Sequence, residues 1–426
     1  PLCQPGLPAL PSSEEDSDIT QEELSKAMAK EYDSMKTFNV FKEILVSDLS
    51  QEERSNLIDS RWVHRRKSDG SVRSRLVCRG FNEQVHSRDD VYASTPTFST
   101  FKLILTHGLA RGHSFYVGDV STAFLHAEVI QKTHVIPPSD YISELHPTEG
   151  DCVVWSLRKA MYGLKTAPKS WQSHVIQIFK GVGLDQMRSD PCLFKLVNQD
   201  VYVINHVDDL FISGYSSGVI QEVIENIRAH LLLKDVGWLT PSKEIQFLGR
   251  IIRHEGNQIT IGIQPDYIEE MIREFNLEKS RELRTTGFHS SGSEDLEASE
   301  DAWSERSIKD FRRIVGRLQW LTGIRPDIQY AVKELAREIT DIHPSSWKKV
   351  KHLLKYLKGT LHHCLHLRQV SSVELPEEIN VFCDADWAGC PNSRKSTTGF
   401  TVSVFGNLIY SASKTQQSIA LSSACL

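Results

Sequence analysis

Apolar residues recur along this chain at two periods, and the change of period marks its elements. Leu24, Met28, Tyr32 and Met35 fall every three or four positions, the spacing of one helix face. Thr20 with Glu23 three residues on forms a capping box and starts that helix near Thr20. Helical spacing returns over about Ser99 to Arg111 (Phe101, Leu103, Ile104, Leu105, Leu109). It returns again after the turn at Tyr162 to Pro168, in a helix running to about Phe179, and after Gln264-Pro265 (Ile268, Met271, Ile272, Phe275). Three further helices are striped by Phe311, Ile314, Val315 and Leu318, by Ile328, Val332, Leu335 and Ile339, and by Trp347, Val350, Leu354 and Leu357. The last is capped by Ser345 and stopped by Gly359. These stripes read as core. A period of two, or a short unbroken apolar run, marks strands. Trp62-Val63-His64 and Arg75 to Cys78 flank a turn at Ser68-Asp69-Gly70-Ser71, and Phe115 to Val120 is strand-like. Val201 to Gly214 is two β-rich runs with a short break, a hairpin. Val381 to Asp384 is a further strand. Phe400 to Phe405 and Leu408 to Ser411 form a hairpin across Gly406-Asn407.

Composition narrows the class. A length of 426 residues allows two or three domains around a large core. Apolar and charged fractions are those of an ordinary soluble chain, with no visible signal peptide or transmembrane run. The chain opens on Pro1 rather than Met and reads as a piece of something longer. Eight scattered cysteines, none in a C-x-x-C pair, argue against zinc and for a reducing compartment. A net charge of −6 excludes a uniformly basic nucleic-acid coat but not one basic face. Residues 1–19 are rich in Pro, Ser and acids and read as disordered or linker; residues 283–303 read as a second loop or linker.

Candidate chemistry centres on Asp208 and Asp209, between the two runs of the 201–214 hairpin. Adjacent carboxylates at a buried tip repel each other and lose hydration, and a Mg²⁺ or Mn²⁺ ion relieves both penalties. An exposed turn accounts for the pair equally well, because Asp is common in turns. Asp119 ends another strand-like run, with Phe124 five residues on; a lone Asp there is more often structural than catalytic. Arg61 to Gly80 carries seven basic residues (Arg61, Arg65, Arg66, Lys67, Arg73, Arg75, Arg79) against Asp69. A basic ribbon suits phosphate contact, but a charge run is more usually a solvated face. Lys348, Lys349, Lys351, Lys355 and Lys358 give a second basic face, open to the same two readings.

Ordered motifs add what single residues do not. Arg61-Trp62-Val63, Arg73 to Phe81, Asp119-Val120 with Ala123-Phe124-Leu125-His126, Tyr162-Gly163-Leu164-Lys165 with Ala167-Pro168 and Trp171, and Val207-Asp208-Asp209 occur in that order. Phe247-Leu248-Gly249, Val315 to Leu318, Arg325 to Ile328, Tyr356 to Thr360 and Asp384 to Gly389 follow. From about Gln21 onward the chain resembles the reverse transcriptase region of a copia-type retrotransposon Pol polyprotein, with the beginning of its RNase H domain.

The resemblance implies an α+β right-hand polymerase. Residues 20–255 would be the N-terminal helix, fingers and palm, 256–282 the start of the thumb, 304–375 a helical thumb or connection, and 376–426 a truncated RNase H-like domain. It implies an RNA-directed DNA polymerase working with an RNA template, a DNA primer and dNTPs, with further Pol segments upstream and downstream and no membrane. Its place would be intracellular, in cytoplasmic virus-like particles if the element is active. Asp119, Asp208 and Asp209 would be catalytic and hold two Mg²⁺ (or Mn²⁺) ions. Arg73, Arg75, Phe124, Lys165 and Thr166 would face the nucleotide, with Phe124 as steric gate against a ribose 2′-hydroxyl. Arg65, Arg66, Lys67 and His206 would face nucleic acid. Asp384 would be a residual RNase H ligand; the Glu expected after Ser422-Ser423 is Ala424, and RNase H activity is expected to be absent. Three positions depart from the family pattern: Asn205 for an apolar residue, His206 for Tyr and Thr166 for Gln. They keep a second reading open, a decayed and impaired element fragment with at most nucleic-acid binding. A small-molecule metal hydrolase using the same aspartates leaves the basic ribbon and the ordered motifs unexplained.

Overall fold

The computed structural model describes residues 19–67, 69–145, 151–287, 305–369, 378–390 and 393–422, without the side chains of 305–307. Most of the segments read as linkers at 1–19 and 283–303 lies outside the described residues, as do Ser68 of the expected turn and everything from Ser423. Helix α1 (Gln21–Thr37) begins at the expected capping box, Thr20 and Glu23 each accepting from the other's amide. It is followed by β1 (Phe41–Leu45), α2 (Gln51–Ser55), β2 (Ile58–Arg66), β3 (Val72–Cys78), α3 (Phe98–Arg111), β4 (Ser114–Val120), α4 (Ala123–His126), β5 (His134–Ile136) and β6 (Val153–Leu157). Five of these strands make a sheet in the order β1-β6-β5-β2-β3, with Met35, Leu76, Trp155 and Leu157 in its core.

A second sheet is completed by α5 (Ala167–Gly181), β7 (Leu184–Gln186), β8 (Leu193–Leu196), β9 (Val201–His206), β10 (Asp209–Gly214), α6 (Ser217–Arg228) and β11 (Leu233–Trp238). Its order is β11-β4-β10-β9-β8-β7. Side chains alternate through it. Tyr116, Val120, Leu210 and Ile212 meet Trp171 and Val175 of α5 and Ile220 and Ile224 of α6. Phe115, Val117 and Phe211 meet Phe101 and Leu105 of α3 on the other side. Burial on both faces is why β9 and β10 read as unbroken apolar runs.

Beyond it lie β12 (Ile245–Phe247), β13 (Arg250–Glu255), β14 (Gln258–Gly262), α7 (Asp266–Glu274), α8 (Glu305–Leu321), α9 (Gln329–Arg337), α10 (Pro344–Gly359) and β15 (Leu365–Arg368). The strands form a sheet in the order β12-β13-β14-β15, and the four helices share one core. A three-stranded antiparallel sheet of β16 (Ile379–Ala385), β17 (Thr397–Val404) and β18 (Asn407–Thr415) closes the chain. Helices and mostly antiparallel sheets in separate layers make the architecture α+β.

Three local expectations shift. Helix α10 starts at Pro344, with the His343 amide donating to the Ser346 hydroxyl at 3.0 Å, so Ser345 lies inside the helix. On the same helix Lys349 is paired with Glu338, and Lys358 donates to the Glu278 and Ser280 carbonyls, which takes both out of the proposed basic face. The last hairpin turns one residue early, at Phe405-Gly406, both left-handed (φ 47° and 70°). Asn407 instead exchanges two hydrogen bonds with the Arg368 backbone, at 2.7 and 2.9 Å, tying β18 to the end of β15. Among the described residues Cys78, Cys192, Cys364, Cys383 and Cys390 are free thiols. No described helix is long and apolar enough to cross a membrane.

Candidate active site

Strands β4 and β10 pair with Asp119 opposite Asp209, and the Val120 amide donates to the Asp208 carbonyl at 2.7 Å. Asp208 itself sits in the two-residue turn between β9 and β10. The three carboxylates act on one another. Burial, then the charge of Asp208, raises the Asp119 carboxyl, while Lys234 and Arg75 pull it back down. Lys234 faces Asp119 directly across the β11–β4 pairing. Burial and the charges of Asp208 and Asp119 push Asp209 up to about 6. An exposed turn would not couple to Asp119 in this way. Among the described residues the three do not converge into a closed cluster of ligand atoms. An open set suits Mg²⁺, which keeps waters and shares phosphate oxygens rather than filling an all-protein cage.

Two left-handed residues shape the site. Thr122 (φ 53°) follows Asp119, and Val207 (φ 54°) precedes Asp208. A β-branched residue in this region is strained, and the Val207 carbonyl is held from two sides. The buried Trp171 indole donates to it at 2.6 Å and the Asn205 side-chain amide at 3.0 Å. Asn205, a departure from the family pattern, therefore braces the turn that carries Asp208.

Arg75 reaches the site from β3. Its guanidinium lies over the Tyr162 ring, 3.8 Å from the centroid, and Phe124 meets the same ring edge-on at 5.3 Å. Behind Arg75 stands Glu31 of α1, raised by burial but steadied by the Arg75 charge and the Leu76 amide. The end of β3 and the Tyr162 loop touch backbone to backbone. A Cβ at Gly80 would collide with the Gly163 carbonyl, and one at Gly163 (φ 90°) with that of Cys78.

Other expected residues go elsewhere. Across β2–β3, Arg65 faces Arg73 and Val63 faces Arg75, so these arginines share one face. Arg66 alternates to the opposite face and pairs with Glu23 at 3.0 Å, away from Arg65. Lys67, at the turn, is exposed. His206 lies across from Asp209, its imidazole lowered by burial. Lys165 and Thr166 are turned toward Glu83. The Thr166 hydroxyl donates to that carboxylate at 2.6 Å, the Lys165 amide also donates to it, and Lys165 Nζ donates to the Phe81 and Glu83 carbonyls. Thr166 and Glu83 are both buried, so this pair staples two loops instead of lining the aspartates. Asp384 lies exposed on β16 and belongs to no multi-ligand cluster among the described residues. Glu31, Glu83, Tyr162 and Lys234 were not assigned to the site; Glu31 left a signal as a charge on the apolar stripe of α1, and Tyr162 as part of an ordered motif.

A family profile described as "Reverse transcriptase (RNA-dependent DNA polymerase)" matches residues 39–286. The chain is 26% identical over 414 residues to the Retrovirus-related Pol polyprotein from transposon TNT 1-94 of Nicotiana tabacum, covering 94% of this chain and 30% of that one. It is 28% identical over 382 residues to the corresponding polyprotein from transposon RE1 of Arabidopsis thaliana, covering 86% and 24%. The chain thus spans about a quarter to a third of the length of these relatives. A solved foamy viral protease-reverse transcriptase in complex with double-stranded DNA aligns with a TM-score of 0.48 at 12% identity, over 96% of this chain and 60% of that one.

Proposed function

The chain belongs to the reverse transcriptase (RNA-dependent DNA polymerase) family, and from that premise we propose that it extends a DNA primer on an RNA template by transfer of a nucleotide from a dNTP to the primer 3′-hydroxyl. The observation that carries the reading is the approach of Asp119, Asp208 and Asp209 at the joined ends of β4 and β10, where burial and then the neighbouring carboxylate charges raise Asp119 and Asp209. These carboxylates fit divalent cations, with Asp119 and Asp208 as ligands and Asp209 in support. Two bound Mg²⁺ or Mn²⁺ ions would supply activation of the primer hydroxyl and neutralisation of phosphate charge. The protein's own residues position the rest. Arg75, its guanidinium 3.8 Å from the Tyr162 ring centroid, would offer charge to the triphosphate. Phe124, packed edge-on against Tyr162, would be the steric gate that excludes a ribose 2′-hydroxyl. The face of Arg65 and Arg73 offers further phosphate contacts. Template, primer and flanking Pol segments are the partners this role requires, and a cytoplasmic particle is its expected setting.

Primer extension on an RNA template with Mg²⁺ or Mn²⁺ tests the reading. Asp119→Asn and Asp208→Asn keep shape but remove ligand charge, and should each reduce the rate by orders of magnitude. An Asp208→Asn protein as active as its parent would overturn the site; a parent inert with either metal would favour the decayed fragment. RNase H activity should be absent, because in-line hydrolysis with two metals needs several carboxylates and, among the described residues, exposed Asp384 belongs to no cluster of ligand atoms. Cleavage of the RNA strand of a hybrid, lost on Asp384→Asn, would refute that.

A further inference from the structure

Away from the aspartates, on the other side of the same hairpin, three side chains from three segments converge. His107 lies in the last turns of α3, His113 in the link from α3 to β4, and Asp200 at the end of the β8–β9 turn. The Nε2 atoms of both imidazoles point at one carboxylate. His107 Nε2 lies 3.0 Å from Asp200 Oδ1, and His113 Nε2 lies 3.1 Å from Asp200 Oδ2. The three ligand atoms all lie within 4.8 Å of one another, the only such group of His, Cys, Asp or Glu among the described residues. The His113 side chain is fully buried, while Asp200 remains about a third exposed, so the cluster opens to solvent on the carboxylate side.

We propose that His107, His113 and Asp200 form a Zn²⁺ site, with water as fourth ligand, that clamps α3 and the β8–β9 turn to β10. Two imidazole nitrogens and one carboxylate oxygen are a zinc donor set. Metal–ligand bonds of about 2.0–2.2 Å at tetrahedral angles hold ligand atoms about 3.4 Å apart, so an ion entering here opens each His–Asp pair by a few tenths of an ångström and closes the widest pair, within 4.8 Å, to the same spacing. The group around the first ligands supports the assignment. His113 Nδ1 lies 3.0 Å from the Ser213 hydroxyl on β10, which is itself buried. When His113 Nε2 takes a metal, its proton must stand on Nδ1, and a hydroxyl can accept there as readily as it can donate to the other tautomer. Tyr202 meets the His107 ring edge-on at 5.4 Å and fixes its plane. Arg111 is the opposing group, with Nε 3.9 Å from Asp200 Oδ2. Its side chain is half exposed, whereas that of His113 is fully buried. Hydrogen bonds alone satisfy the same three residues, and this is the competing account. That account predicts no affinity for zinc.

The test uses the whole chain, stripped with a chelator and titrated with Zn²⁺ in excess Mg²⁺, which keeps the aspartates of β4 and β10 occupied. One equivalent should bind, with a rise in Tm that saturates at one equivalent. Co²⁺ in its place should give the intense visible bands of a four-coordinate ion. His107→Gln, at the partly exposed ligand, and Asp200→Asn, of unchanged size, should each abolish that equivalent. Ser213→Ala should weaken it by about 10- to 100-fold. A parent protein that binds no Zn²⁺ would overturn the proposal and leave a hydrogen-bonded triad. Unchanged binding by His107→Gln or Asp200→Asn, with circular dichroism matching the parent, would overturn it too.

Discussion

Trp171→Phe is the most discriminating perturbation of the candidate site, because it touches neither a metal ligand nor a nucleotide. The Val207 carbonyl accepts from Trp171 at 2.6 Å and from Asn205 at 3.0 Å, so both of its lone pairs are engaged. The turn they hold contains a left-handed valine (φ 54°), whose conformation costs about 1–2 kcal/mol. Two hydrogen bonds contribute about 1–3 kcal/mol in sum, a margin of the same size. Phenylalanine removes one bond and leaves space where the indole was, so about 1–2 kcal/mol of support for the turn is lost. That changes the ratio of formed to unformed turn by about 5- to 30-fold. Because the turn carries Asp208, the rate of primer extension should fall by up to that factor, and the Mg²⁺ concentration for half-maximal rate should rise. Affinity for template-primer should stay near the parent value. Single-turnover primer extension across a Mg²⁺ series, with urea unfolding alongside, separates the effects. A mutant that unfolds more easily but keeps the parent's rate and Mg²⁺ dependence would show that Trp171 serves the core alone.

Three further outcomes follow from the same geometry. Phe124→Val should admit ribonucleotides with reduced discrimination while dNTP incorporation persists; unchanged selectivity in an active mutant would remove Phe124 as the gate. Double neutralisation of Arg65 and Arg73 to Gln should lower the salt slope of template-primer binding by about 1 to 2, whereas Arg66→Gln, on the Glu23 side, should leave it alone; equal effects from both would mean the faces are misassigned. Asp209 has a folded value of about 6 against an ordinary 3.8. It therefore holds its proton more tightly folded than unfolded, and its contribution to stability is full below about 4 and lost as pH rises through about 6. Metal-free protein should show that loss in urea melts, and Asp209→Asn should flatten it; an unchanged slope would exclude Asp209 as its source.

The parts legible in the sequence were those set by local rules. The capping box at Thr20, the helical stripes and the β9–β10 hairpin depend on residues within a turn or two of each other, and the structure has them where the spacing put them. The aspartates could be named only through the ordered motifs of the family resemblance, because the pair alone reads equally well as an exposed turn. What could not be read was direction. Arg65 and Arg66 are neighbours in the chain, but a strand sends them to opposite faces, and only the pairing of β2 with β3 says which face meets the site. Thr166 shows the same limit over a longer distance. Its partner Glu83 lies 83 residues away, and no local pattern announces that a threonine hydroxyl will be consumed by a buried carboxylate.

Asn205 carries this furthest. Set against a family pattern, a polar residue beneath the turn that carries Asp208 looks like damage. Within the fold it supplies one of two hydrogen bonds to a carbonyl that a strained turn leaves exposed to loss. An apolar residue at that position would leave Trp171 as the sole donor to the Val207 carbonyl. The departure adds a constraint on Asp208 instead of removing one, and so weighs against reading this site as decayed. Thr166 points the same way, because its short side chain is what fits it, buried, against Glu83. His206 is the departure that finds no such compensation: its Nδ1 is buried without a hydrogen-bond partner beside the aspartates. A buried polar atom left unpaired costs about 1–3 kcal/mol, so among the three departures His206 is where any loss of fitness at this site would originate.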